Sequence, residues 1–285
     1  MNNIMSLLFE TNAFRVCEEN KPFWYTSGKI GPYFVNTHFL YGSEEEANKL
    51  LDFINKELEE KDIKDIPKDI FDEVLKQYNQ NQMFKEVVNA LVEYVKKEID
   101  VEEIDYISGG ERRDWLFSNL VAHLLNKPHI SLFKNMSSVV SDSKFESNTI
   151  TSGLEGKSIL HVADLVNQAS SYTRYIEIIG KLGGTIKWSL AVVDRMQGGT
   201  EKLEELGIEP LSLFKIDKSL FEKAEELNII SSEQRQMLND YVDDPDGSMV
   251  CFLKEHPEFL ENALKADPKS AQRAQKCIDE KIYDL

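Results

Sequence analysis

Residues 159–166, Ile-Leu-His-Val-Ala-Asp-Leu-Val, run into the polar stretch Asn167-Gln168-Ala169-Ser170-Ser171 and then into an apolar-periodic segment at 172–182. No other stretch constrains the fold as strongly. A short, nearly continuous apolar run is a strand buried on both faces, and such a strand needs helices above and below its sheet. The turn after it opens a helix, where unpaired backbone N–H groups and the helix dipole favour an anion. Asp164 sets a carboxylate near the strand's C-terminal edge.

The same alternation extends in both directions. Strands are expected at 104–107, 129–133, 158–162, 186–193 and 210–214, with helices at 114–125, 172–182 and 203–206. Residues 134–153 read as a long polar loop. Strands separated by helices make an α/β fold: a mostly parallel sheet of about five strands with helices on both faces. Ligands then bind beyond the C-terminal strand ends, where 108–113, 164–171 and 194–199 fall.

The flanks are different. Residues 3–20 suggest an amphipathic helix, and 23–36 two aromatic-rich runs around Ser27-Gly28-Lys29, a hairpin pattern. Ser43 with Glu46 three residues on is a capping box for a helix carrying Leu50, Leu51, Ile54 and Leu58. Residues 59–67 read as a charged connection. A second helical stretch holds Phe71 to Val95 and breaks near 79–82. Beyond 216 short helices are expected at 220–227, 232–241 and from 257, with Asp267-Pro268 starting the last. Asp243 to Gly247 reads as a turn or linker. The organisation expected is a domain over 1–216 (hood 1–43, acidic helical insertion 44–103, α/β core 104–216) and an acidic helical extension, 217–285.

Charge decides what such a chain does not bind. The net charge is −17, yet residues 44–105 hold 19 acids against 9 bases and 217–285 hold 16 against 9, which leaves the centre neutral. A nucleic-acid surface needs a basic stripe, so no nucleic-acid partner is expected. No apolar run approaches the roughly 20 residues that span a bilayer, so no membrane partner is expected either. The first ten residues lack a basic region followed by a long apolar one, and Cys17, Cys251 and Cys277 form no CxxC pair. A cytoplasmic location is the expectation.

Three segments carry a family resemblance. Phe23–Asn36 is similar to the Phe-Thr-Leu-Lys-Ser-Gly-Arg-x-Ser-Pro-Tyr-Phe-Phe-Asn segment of orotate phosphoribosyltransferases. Residues 159–171 resemble the phosphoribosyl-diphosphate signature of the type I phosphoribosyltransferases: an apolar strand, two adjacent acids and a Thr-Ala-Gly-Thr-like loop. Val193-Asp194-Arg195-Met196-Gln197-Gly198-Gly199 is similar to that family's Leu-Asp-Arg-Gln-Glu-Arg-Gly. The three keep the family's order and spacing. The resemblance implies transfer of a phosphoribosyl group from phosphoribosyl diphosphate to a pyrimidine-like base. By the same likeness Mg2+ would arrive mainly on the substrate, with no protein residue named as its ligand, and the partner would be a second copy in a homodimer.

The resemblance also implies roles. Asp164 takes the ribose, and Asn167, Gln168, Ala169, Ser170 and Ser171 cradle the 5′-phosphate. Gly109, Gly110, Arg112 and Arg113 face pyrophosphate; Lys29, Phe34 and Arg195 face the base. A guanidinium fork suits carboxylate and carbonyl groups, and glycines allow close backbone approach. Each position has a plainer reading: a polar helix cap for 167–171, an ion pair with Asp194 for Arg195, core packing for Phe34, a solvated helix start for the two arginines. His161 reads as a satisfied core residue.

Several positions depart from the pattern. Thr26 replaces a lysine, Ala163 one of the two acids, Ala169 the loop glycine, and residues 134–153 lack the basic character of a mobile catalytic loop. Each lost charge-assisted contact to polyphosphate costs on the order of a few kcal/mol. Two other readings therefore stand beside the orotate-type enzyme. One is a catalytically impaired paralogue that binds a nucleotide or phosphoribosyl ligand as a sensor or interaction protein. The other is a transferase for a different base.

Overall fold

The computed structural model describes residues 2–283. In chain order, α1 (Asn2–Glu10) leads into four short strands, β1 (Phe14–Val16), β2 (Phe23–Trp24), β3 (Ile30–Gly31) and β4 (Tyr33–Val35). A 3-10 turn (Thr37–Tyr41) precedes α2 (Glu44–Glu60), α3 (Ile66–Gln80) and α4 (Gln82–Glu98). Next come β5 (Tyr106–Gly110), α5 (Trp115–Leu124), β6 (His129–Leu132), β7 (Ser138–Ser141) and β8 (Asn148–Ile150). The alternating part ends with β9 (Ser158–Val166), α6 (Tyr172–Lys181), β10 (Thr185–Asp194), α7 (Gly199–Glu205) and β11 (Glu209–Lys215). There follow α8 (Lys218–Glu226), α9 (Ser232–Asp243), α10 (Pro245–Glu255), α11 (Glu258–Leu264) and α12 (Pro268–Asp279). Contacts divide the chain into two compact units, 1–13 with 36–216 and 14–35 with 217–285.

The first unit is an α/β sheet in the order β11-β10-β9-β5-β6-β7-β8. The five strands from β11 to β6 are parallel, as their apolar runs require; β7 and β8 extend the edge antiparallel. This corrects the expected loop at 134–153. Val139 is buried in β7, and Asp142 turns the chain into β8 by accepting from the backbone of Lys144 and Glu146, both at 3.0 Å. Phe145 sits inside that turn, fully buried and stacked on Phe71 at 4.3 Å. Ser-Val-Val-Ser in β7, paired on both sides by β6 and β8, carries too little apolar periodicity to announce itself.

Local chemistry sets the helices. Ser43 accepts from Glu46 N at 3.1 Å to start α2. Asn81 ends α3 and starts α4, its Oδ1 accepting from Phe84 N at 3.0 Å, as the expected break near 79–82 required. Pro67 lies in the first turn of α3 instead of in a connection, because its missing N–H costs nothing there. α6 buries Tyr172, Tyr175, Ile178 and Ile179 on one face, against a cluster that includes Ile159, Ala163, Val166 and Ile186.

In the second unit β1 pairs antiparallel with β4, and β2 with β3. The helix expected over 3–20 thus stops at Glu10. Asn12 turns left-handed at φ 59°, a conformation asparagine tolerates, and Phe14-Arg15-Val16 then alternates as a strand. The expected turn at 243–247 is a helix start: Asp244 caps α10 through Gly247 N at 2.9 Å, with Pro245 in the first turn. α12 begins as expected, with Asp267 accepting from Lys269 N and Ser270 N.

Candidate functional site

Strand order reverses between β5 and β9, the topological switch point at which open α/β sheets leave a crevice. The two strands pair in register up to Ser108 and His161. Beyond that pair they part, and the carboxylate of Asp114 occupies the fork. Its Oδ2 accepts from Gly110 N and its Oδ1 from Asp164 N, each at 2.9 Å. Backbone donors freed at a fork need such a partner.

A cleft of about 250 Å³ opens there, lined by Arg112, Arg113, Asp114, Asp164, Ser171 and Tyr175 among others. Lys134 and Glu111 stand at its edge, 3.5 Å apart as an ion pair. The cleft therefore brings together the expected ribose carboxylate, the last residue of the expected phosphate loop and both loop arginines. Arg113 is exposed; Arg112 donates to Asn55 of α2. The Glu111–Arg112 peptide is cis.

Asp164 is half-buried, and Thr37 donates to its Oδ2 at 2.7 Å. Burial first, then the neighbouring Asp114 carboxylate, push its carboxyl up to about 7; the Thr37 hydrogen bond and Arg113 act the other way. His161 on β9 lies fully buried near the Asp114 carboxylate. Ser108 Oγ meets its Nδ1 at 2.9 Å, its Nε2 is 3.7 Å from Asp114 Oδ2, and Tyr172 and Tyr175 pack on the ring. His38, buried beside Arg113's field, has its imidazole pushed down to about 3 by burial and then by that charge.

The expected phosphate loop, 167–171, leaves the end of β9 and leads into α6. Ser171 is the N-cap residue and makes no side-chain cap hydrogen bond. Ala169 is buried with φ 51°, the left-handed region that glycine adopts more readily. Its carbonyl accepts from Tyr172 N at 3.0 Å. Gly199 packs against this loop so closely that a Cβ would run into the carbonyl oxygen of Asn167 and the side chain of Val166. Arg195 is held next to the loop, its N–H donating to Val166 O at 2.9 Å. The Asp194 carboxylate accepts from Met196 N at 2.8 Å and from Thr200.

Gly109 and Gly110 are buried at the end of β5. A Cβ on Gly109 would strike Ser118, and one on Gly110 would strike Tyr175. Close packing of protein on protein accounts for both glycines. Lys29 and Phe34 belong to the second unit. Lys29 Nζ pairs with Asp246 at 2.7 Å, and Phe34 packs on Phe23 and Tyr25 with the Arg15 guanidinium 5.9 Å from its ring centre. Asp114, Thr37 and His161 in this role escaped the sequence reading. Asp114 was visible only as a helix start, and nothing local marks a carboxylate that serves two strands.

The second unit also carries a larger cleft, about 730 Å³, with Met237, Met249 and Phe252 on its walls and Glu19, Glu233, Asp240 and Glu255 among its lining. Those acids repel a polyphosphate, so the smaller cleft, with its arginines, is the candidate site.

No family model matches the chain. It is 24% identical to the orotate phosphoribosyltransferase of Sulfolobus acidocaldarius over 222 residues, 77% of this chain and 88% of that protein. It is 26% identical to that of Sulfurisphaera tokodaii over 164 residues, 58% of this chain and 79% of that one. Among solved structures, the UMP synthase of Leishmania donovani superposes with a TM-score of 0.55 at 15% identity, over 83% of this chain; the chain spans 41% of that protein. The orotate phosphoribosyltransferase of Francisella tularensis gives 0.55 at 12% identity, covering 84% of this chain and 96% of that one. That of Aeropyrum pernix gives 0.51 at 15%, covering 80% and 99%. Strand order, switch-point cleft and relatives agree: the chain is orotate phosphoribosyltransferase-like, with the type I phosphoribosyltransferase fold.

Proposed function

We propose that the chain is a phosphoribosyltransferase that moves a phosphoribosyl group from phosphoribosyl diphosphate to a pyrimidine-like base, orotate first among them. The observation that carries this reading is the switch-point cleft, which sets Asp164, Ser171 and two arginines around one space. A ribose offers two hydroxyl donors, which an ionised carboxylate such as Asp164 accepts. The 5′-phosphate needs N–H and hydroxyl donors, which 167–171 supply ahead of α6. The diphosphate leaving group needs cations, and Arg112, Arg113 and Lys134 are the cations beside the cleft. Positive charge develops on the sugar during transfer, and an ionised Asp164 stabilises it. Arg195, at the strand end next to the phosphate loop, is the residue assigned to the base.

Mg2+ fits this site as a companion of the diphosphate, where it neutralises charge on the leaving group. Among the described residues no three or more His, Cys, Asp or Glu side chains converge to hold a metal, and none is assigned as its ligand. The described helices include none long and apolar enough to cross a membrane.

A sensor reading keeps one supporting observation: Lys29, the basic residue left near the altered Thr26, is already paired with Asp246. One experiment separates the two. The protein is titrated with phosphoribosyl diphosphate, orotate and orotidine monophosphate, with and without Mg2+, while pyrophosphate release is followed. Orotate-dependent release supports the transferase. Tight orotidine monophosphate binding without turnover supports the sensor, and no binding of any of the three removes both.

A further inference from the structure

We propose that Asp114 is the positioning residue of the cleft: from the loop after β5 it supplies the second carboxylate that Ala163 does not, and it ties the backbone of Gly110 and Asp164 into one frame. This rests on the reading of Asp164 as the ribose-binding acid. The geometry is specific. One carboxylate, only 7% exposed, spends both oxygens on the two strand ends that form the fork, Gly110 N and Asp164 N at 2.9 Å each. Behind it His161 Nε2 lies 3.7 Å from Oδ2, with the ring clamped by Ser108 and two tyrosines. A helix cap does not require this, and α5 receives no side-chain cap from Asp114.

The consequence concerns Asp164. With the Asp114 carboxylate beside it in a partly desolvated cleft, Asp164 does not ionise in the ordinary carboxylate range. The groups that act on Asp164 or share its cleft are Thr37 from the 3-10 turn, Glu111, Arg112, Arg113 and Asp114 from the loop after β5, Lys134 after β6, and Tyr172 and Tyr175 on α6. His38 stands in the field of Arg113, and His161 on β9 meets Asp114. Two ribose hydroxyls donating to Asp164 stabilise its ionised form, so the proton it holds in the empty cleft passes to solvent when the ligand binds. Asp114 thereby couples ligand occupancy to proton release.

The test has an arm that needs no ligand. Carboxyl-carbon NMR of protein labelled at aspartate, with Asp164→Asn identifying the Asp164 signal, follows its titration in the free protein. Asp114→Asn, which removes the like charge and keeps an acceptor oxygen, lowers the Asp164 midpoint by about one pH unit or more. Thr37→Val, which removes a hydrogen bond to the ionised form, raises it by roughly half a unit. Calorimetry in buffers of different ionisation enthalpy then counts protons released on binding Mg2+–phosphoribosyl diphosphate near pH 6.5. Release falls at least about twofold in Asp114→Asn.

An Asp164 midpoint within about 0.3 unit of wild type in natively folded Asp114→Asn overturns the proposal. Should that variant not fold, an unmoved or lowered midpoint in Thr37→Val overturns it instead. If phosphoribosyl diphosphate fails to bind while the midpoints move as stated, the frame stands and the functional reading falls.

Discussion

On the proposed ribose-binding role, Asp164 carries opposed demands, because the carboxylate that role needs is disfavoured where it stands. Its carboxyl is held near 7 in the folded protein by burial and Asp114, against about 3.9 in an unfolded chain. Between those values the folded state binds the extra proton, so this group's contribution to stability falls as pH rises from about 4 and levels off above about 7. Asp164→Asn is therefore expected to match wild type in urea unfolding at pH 4 and to exceed it at pH 8. The same variant loses at least about tenfold in affinity for phosphoribosyl diphosphate, the worth of one charge-assisted contact. A variant no more stable at pH 8 contradicts the account of burial. Ala169 tests a different compromise. Relief of its left-handed backbone by glycine gains about 1–2 kcal/mol, while the lost methyl and the freer unfolded chain cost about 0.8 and 0.5–1 kcal/mol. Ala169→Gly should accordingly unfold within roughly 1 kcal/mol of wild type, and a larger change in either direction would show that one of these terms is absent.

Elements that depend on one residue and its near neighbours could be read directly. Asn81 both ends α3 and caps α4, so Asn81→Ala is expected to cost about 1 kcal/mol in urea unfolding, and Asn81→Asp little. Ser43, Asn81 and Asp267 each announce a helix start by their own side chain, and the apolar runs at 159–166 and 186–193 announce buried strands by length. What could not be read depends on partners distant in the chain. β1 is a strand because Phe14–Val16 meets Tyr33–Val35, and β7 because Ser138–Ser141 meets His129–Leu132. The site divides the same way. Asp164 and the loop to Ser171 were legible from a strand-turn-helix run. The fork that Asp114 fills was not, since one of its donors, Gly110, is four residues away and the other, Asp164, lies 50 residues on. Glycines mislead for a related reason. Gly109 and Gly110 suggest room for a ligand, but Ser118 and Tyr175 occupy that room. Gly110→Ala should then destabilise by about 1–3 kcal/mol, the cost of overpacking, even with ligand absent.

At the scale of the molecule, pH acts through groups of opposite sign. His129 is fully buried between Ser118 and Ser131, and burial, then His161, push its imidazole down to about 3. His38 is held similarly low. For a histidine whose folded value lies below its unfolded one, the stabilising contribution is complete above about 6.5 and is lost as pH falls toward the folded value. The slope reaches about 1.4 kcal/mol per pH unit for each such histidine. Over the same range Asp164 contributes in the opposite sense, gaining stability as pH falls, so two histidines outweigh one aspartate and the protein should weaken from pH 6.5 to 4.5. The net charge of −17 also shrinks on acidification, which relieves self-repulsion and opposes the histidines. Salt at about 0.5 M screens that exposed charge and leaves the buried groups largely untouched. Urea unfolding of His129→Gln in that salt isolates one term, because glutamine keeps a hydrogen-bonding partner for Ser118 and has no proton to gain. Its stability should decline less steeply below pH 6.5 than wild type's, by up to about 1.4 kcal/mol per unit. An unchanged slope would mean that His129 is protonated in the folded core or reaches water before unfolding, and acid lability would then have to arise in the carboxylates instead.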